Sequence, residues 1–167
     1  MPATVTLNVP RLADTLLDTA TMRDVGDLAI RMIRTRTEAG KDVTGAAFAP
    51  YTPGYAERRA KEGLGTTPNL TVSGRMLNDM GVVAVAPGSV SIGFRSSGGG
   101  PVRGKGLTLI QRSRALGAED KARFHDVLGA GASRTLRKFL GLTPQETETI
   151  RDRVRRHLDD LARRLSR

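Results

Sequence analysis

Apolar residues recur at two spacings along this chain, and each spacing predicts its own kind of element. From Thr4 to Val9 they alternate, with Val5, Leu7 and Val9 on one side, the two-residue period of a short strand that Pro10 closes. A brief helical turn is expected through Leu12, Leu16 and Leu17. Val25, Leu28, Ala29, Met32 and Ile33 then recur at steps of three and four, which marks an amphipathic helix. Thr21 with Asp24 resembles a capping pair at its start, and Gly40 stops it.

The chain next turns loop-like, with Gly45, Pro50 and Pro53 surrounding Phe48 and Tyr51. Pro53 suits a first helical turn and predicts a short helix through Tyr55, Ala56 and Arg59, ended by Gly63 and Gly65. A second brief helix is expected from Ser73 to Met80, with Met76, Leu77 and Met80 inward. Val82 to Ala86 and Val90 to Phe94 are apolar, β-branched runs joined by Pro87-Gly88-Ser89, the pattern of a β-hairpin. Ser96 to Gly106 reads as a flexible glycine-rich loop, and Leu107–Leu116 and Asp120–Leu128 as weak helices. Thr143-Pro144-Gln145-Glu146 carries a capping residue, a first-turn proline and a reciprocal glutamate. Behind it Ile150, Val154, Leu158, Leu161 and Leu165 form one stripe. The expected architecture is α+β: a small antiparallel sheet, made of the hairpin and the N-terminal strand, is flanked by helices, with a long amphipathic helix last. No internal repeat interrupts what reads as a single domain over residues 1–167.

Composition narrows the picture. At 167 residues the chain suffices for one domain, which buries roughly 70% of its unfolded surface. Aromatics are only 4% and tryptophan is absent, so the core must be aliphatic and modest, and burial against another subunit would add to it. The lack of cysteine excludes disulfides, thiolate metal sites and a cysteine nucleophile. No apolar run approaches the ~20 residues that cross a bilayer, so no membrane partner is expected. The opening MPATVTLNVPRLADT lacks the basic start and apolar stretch of a signal peptide, which predicts a cytoplasmic protein. Lys plus Arg number 27 against 17 Asp plus Glu, and a net charge of +10 draws polyanions such as nucleic acid. The surplus is dispersed and not interleaved with aromatics, which fits proximity to DNA without base stacking or sequence reading.

Candidate chemistry is sparse. Gly99, Gly104 and Lys105 satisfy the spacing of a phosphate-cradling loop. Against that, Gly106 stands where a hydroxyl should hold Mg²⁺, and Pro101 removes a backbone donor. No later strand ends in the required Asp, so a loop without nucleotide is the better reading. His125-Asp126 resembles part of a metal site, but the only other histidine is His157, amid the arginines of the last helix, so a structural histidine is the better reading. No Ser, His and acid trio and no paired carboxylates stand out. We expect no catalytic residue, no cofactor, no metal and hence no enzyme. Arg151, Arg153, Arg155, Arg156, Arg163 and Arg164 are balanced by Asp152, Asp159 and Asp160 and read as a solvated face.

Three segments in serial order carry a family resemblance: GAAFAPYTPGYAERRAKEG from Gly45, LTVSGRMLNDM from Leu70 leading into the hairpin, and FHDVLGAGASRTLRKFLGLTPQE from Phe124. Together they resemble the virion morphogenesis, or tail-completion, proteins of long-tailed phages over roughly residues 22–165. The matching positions are Gly45 and Phe48, Ser73 to Leu77 (with Ser73 in place of the commoner threonine) and Arg137 to Leu142. Residues between Gly98 and Lys121 follow no pattern of the family. The resemblance implies a structural protein of the virion neck, at the head–tail junction, assembled in the host cytoplasm. It implies a homo-oligomeric ring, often six-fold, that completes or joins the tail. Its partners would be copies of itself, other neck and tail proteins, and DNA passing non-specifically through the channel. A tail terminator of the same region, or a non-specific DNA-binding protein, are the alternatives. Expected subunit contacts are Phe48, Tyr51, Tyr55, Arg75, Met76, Arg137 and Phe139, with the subunit's own core as the other reading of Phe48, Tyr51 and Tyr55 and the better one of Phe139; Arg103, Lys105, Arg112 and Arg114 are candidate channel contacts.

Overall fold

A computed structural model describes residues 4–8, 16–95, 108, 109, 111, 117–130 and 134–166. The loop at 96–106, most of the weak helix at 107–116 and the turn expected around Leu12 lie outside the described residues. In chain order the elements are β1 (Val5–Asn8), α1 (Thr19–Glu38), α2 (Pro53–Lys61), α3 (Arg75–Asp79), β2 (Met80–Ala86), β3 (Ser89–Phe94), α4 (Ala118–Arg123) and α5 (Pro144–Leu165). A π-helical turn, Phe124–Leu128, continues α4.

Three strands form one antiparallel sheet in the order β1-β3-β2, so the hairpin and the N-terminal strand do combine in an α+β architecture. β3 is central because its alternate residues Val90, Ile92 and Phe94 are all buried. Val5 and Leu7 stand opposite Ile92 and Val90 on one side; Val82 and Met80 stand opposite Ile92 and Phe94 on the other. The hairpin turns at Pro87-Gly88, with Gly88 at φ 72°, the proline-then-positive-φ pairing that a type II turn uses. Between Val82 and Ala84 the register shifts, and Val83 is the extra residue, 47% exposed. Such a bulge turns one apolar side chain out of the core and bends the strand locally.

α1 lies across β2 and β3 and buries Met22, Val25, Ala29, Ile30 and Ile33. Gly26 makes that approach close: a Cβ there would stand 2.7 Å from Cγ2 of both Val82 and Val90. The expected Thr21–Asp24 cap is corrected. The helix starts at Thr19, and Asp18 caps it by accepting from the Thr21 N–H at 2.8 Å. Thr21 falls inside the first turn, where its hydroxyl pairs with His157 Nε2 of α5 at 3.3 Å. Gly40 follows α1 at φ 76°, the left-handed exit glycine favours.

α5 has the capping box its sequence announces. The Thr143 hydroxyl accepts from the Glu146 N–H, and the Glu146 carboxylate accepts from the Thr143 N–H. It packs on α1 through Ile150 and Val154, with Leu158 partly buried. The five-residue stripe is only partly used, since Leu165 is 81% exposed and the last turn runs past the core. α3 packs on α4, and Met76, Leu77 and Met80 point inward as expected.

Candidate assembly site

The residues that carry the family resemblance converge on one region, where the loop from Gly40 to Gly74 meets the segment from Phe124 to Glu146. Its entry is a tight turn. Asp42 accepts from the Thr44 N–H, the Thr44 hydroxyl and the Ala46 N–H. Burial opposes the charged form of Asp42, but those hydrogen bonds and the Arg36 charge outweigh it and hold the carboxyl below its usual range. Gly45 allows the turn with φ 88°. Phe48 then drops into the core, its N–H donating to Gly40 O.

Tyr51 is the centre of the region. Its ring meets Tyr55 edge-on at 4.9 Å between centroids, and the guanidiniums of Arg59 and Arg137 lie over it at 5.0 and 5.1 Å. Contacts of this kind are worth about 0.5–2 kcal/mol each, more when desolvated. Both arginines are buried, at 1% and 6% exposure, and among the described residues neither has an ion-pair partner. They turn to carbonyls instead: Arg59 donates to Gly65 O and Thr71 O, leaving its buried Nη1 without a partner, and Arg137 donates to Ala49 O and Pro50 O. Arg59 thus closes the loop behind α2, and Arg137 ties the third resembling segment to the first. Burial raises the Tyr51 hydroxyl above its ordinary pKa, partly offset by Arg59. Burial likewise draws Arg137 down from its usual value.

Beneath Arg137 the π turn places His125 and Asp126. His125 is half-buried, with its Nδ1 enclosed and without a hydrogen-bond partner, and it is pushed down to about 4, first by burial and then by the Arg137 charge. Its carbonyl accepts from the Arg137 N–H. Asp126 accepts from the N–H groups of Phe139 and Leu140 at 2.9 and 3.1 Å. This pair therefore holds backbone in place, and among the described residues no three His, Asp or Glu side chains converge on a common point.

Arg36 of α1 completes the frame. It pairs with the Glu146 carboxylate and donates to Phe139 O and Gly141 O at 2.6 and 2.9 Å. One buried guanidinium thereby locks α1, the strand-like segment before α5, and the α5 cap together. Beside it lies a shallow, open cleft of about 450 Å³ lined by Met32, Thr35, Ala39, the Arg36–Glu146 pair and the exposed Arg31 and Lys41.

Of the expected contact residues, Phe48, Met76, Arg137 and Phe139 are buried inside this subunit at 6%, 4%, 6% and 0% exposure. The reading of those four as subunit contacts is corrected: their surfaces are used up within the chain. Phe139 meets Phe94 at 6.4 Å between rings, joining the segment before α5 to the hairpin. Tyr51 and Tyr55 are half-buried, and Arg75 is exposed at the start of α3. The candidate channel residues Arg103, Lys105, Arg112 and Arg114, and the Gly99–Gly106 motif, lie outside the described residues. Sequence patterns missed the structural parts of Arg36, Arg59 and Asp126. Only Arg59 left a trace, a charge three positions after Ala56 on the inward face of α2.

The arginines of α5 behave as a solvated face, with Arg151–Glu148, Arg155–Asp152 and Arg163–Asp160 paired three residues apart and exposed. Among the described residues no helix is long and apolar enough to cross a membrane. No family model, no curated protein and no solved structure matches the chain.

Proposed function

We propose that this chain is a structural virion protein of the head–tail neck of a long-tailed phage, assembling as a ring that completes or joins the tail and lets DNA pass. The observation that carries the reading is the way the three resembling segments are built into one body. Arg137 of the third holds the Ala49 and Pro50 carbonyls of the first, and Phe139 packs on Phe94 at the end of the hairpin that follows the second. The chain's chemistry is spent on holding loops: buried arginines bind carbonyls, Asp126 binds backbone N–H groups, and the half-buried His125 has its pKa drawn down to about 4. That suits a non-catalytic part. The net charge of +10 suits a wall past which DNA moves without being read.

Light scattering on the purified chain and mass spectrometry of purified particles test this together. The expected result is a homo-oligomer in solution and a fixed copy number per particle. A chain that stays monomeric and is also missing from mature particles overturns it.

A further inference from the structure

Exposed apolar side chains cluster at the end of α4 and on its π turn. Phe124 is 44% exposed, Val127 61% and Leu128 48%, and Leu136, adjacent to the Arg137 N–H that bonds His125 O, is 48% exposed. Isolated apolar residues on a surface need no explanation, whereas several on one turn mark a contact surface. The same face carries Glu119, Asp120 and Arg123, with Asp120 one turn before Phe124 and Glu119 one turn before Arg123, so one acid is in excess. The cleft beside Arg36 has the opposite character. Its apolar lining is Met32 and Ala39, Glu146 is already paired with Arg36, and Arg31 and Lys41 leave two cations in excess.

We propose that the α4 face of one copy seats in the α1–α5 cleft of a second copy, with Phe124 and Val127 against Met32 and Ala39, and Asp120 facing Lys41 and Arg31. This rests on the ring reading and deepens it, because it names the two surfaces. They share no residue, so one copy can engage two neighbours at once, and such a head-to-tail contact propagates from copy to copy until rotation closes it. The apolar knob supplies the anchor, while the charges fix register and suppress the reverse pairing. The π turn contributes by holding Phe124 and Val127 outward while Asp126, between them, turns in to the Phe139 and Leu140 N–H groups.

The test uses the exposed Arg31, Lys41 and Val127 together with the half-buried Asp120: Arg31→Glu with Lys41→Glu on the cleft, and Asp120→Lys with Val127→Ser on the knob. Circular dichroism and melting should match the parent chain. Sedimentation should show self-association weakened about tenfold or more in each variant. An equimolar mixture of the two should stop at dimers, because each partner keeps one sound surface. Lys41→Glu combined with Asp120→Lys in one chain should recover association that either change alone removes. Variants that keep the parent mass, a mixture that remains monomeric, or a parent chain that is itself monomeric at high concentration each overturn the pairing. Mass spectrometry of particles carrying the variants separates the two ideas. Variant protein incorporated normally while its solution mass is unchanged removes this interface and leaves the neck reading standing; a parent chain absent from particles removes the neck reading itself.

Discussion

Arg59 and Arg137 spend their charge on carbonyl oxygens and on one tyrosine ring, and His125 pays the electrostatic consequence. Enclosed beside Arg137, the imidazole is held neutral, with its pKa down from 6.5 to about 4. Between those values the unfolded chain binds a proton that the folded chain refuses, so stability rises with pH across the window and is complete above it. Acidification from pH 7 to pH 4 should therefore remove on the order of 3 kcal/mol through this one residue. Melting temperature against pH checks it: His125→Gln should flatten the slope between pH 6.5 and 4, whereas an unchanged slope assigns the acid sensitivity elsewhere. The sequence pointed to a structural histidine, because only His157 could have joined it as a second ligand, but its place beside Arg137 was not legible: adjacent residues say nothing about which of them turns inward. Phe48, Met76 and Phe139 drew attention as contact residues for the same reason, since an apolar side chain serves a core and an interface equally well.

Elements with local signals were read correctly, and the errors fall where a residue's part depends on distant partners. The capping box of α5 is written in four consecutive residues, so Thr143 and Glu146 announced it. The cap of α1 was misplaced by three residues because Asp18 and Thr21 are both good capping residues, and which one caps depends on where the chain enters the helix. The α5 stripe was correct as periodicity, yet Leu165 stands in solvent because the core beneath ends sooner. Gly26 was silent in the sequence, a mid-helix glycine with no apparent purpose. Its purpose is contact: Val82 and Val90 stand where its Cβ would be. Gly26→Ala should gain up to about 1 kcal/mol of helix propensity and lose about 1–3 kcal/mol to overpacking. The net expectation is a lower melting temperature, restored in part by Val82→Ala alongside it. A simple rise in melting temperature for Gly26→Ala alone would mean that α1 sits farther from the sheet than the structure places it.

At the scale of the whole molecule, charge predicts behaviour that shape does not. A chain of +10 whose α5 arginines are matched by acids should bind duplex DNA weakly, with affinity falling steeply as salt rises and no preferred site. Fluorescence anisotropy with unrelated duplexes across a salt series measures this; a preferred sequence retained at physiological salt would instead favour a regulator. What the sequence determined by itself was the list of elements, their order, the hairpin and the α+β class, because spacing, turn residues and caps act over a few positions. Tertiary structure alone decided which side chains were consumed inside the subunit and which stayed outside. Arg36 reaches Glu146 from more than a hundred residues away, Arg137 finds the Ala49 carbonyl, and the knob on α4 and the cleft beside α1 exist only once the chain has folded. Long-range pairing leaves no periodicity to read, since a buried arginine needs only a carbonyl within reach, and every residue carries one.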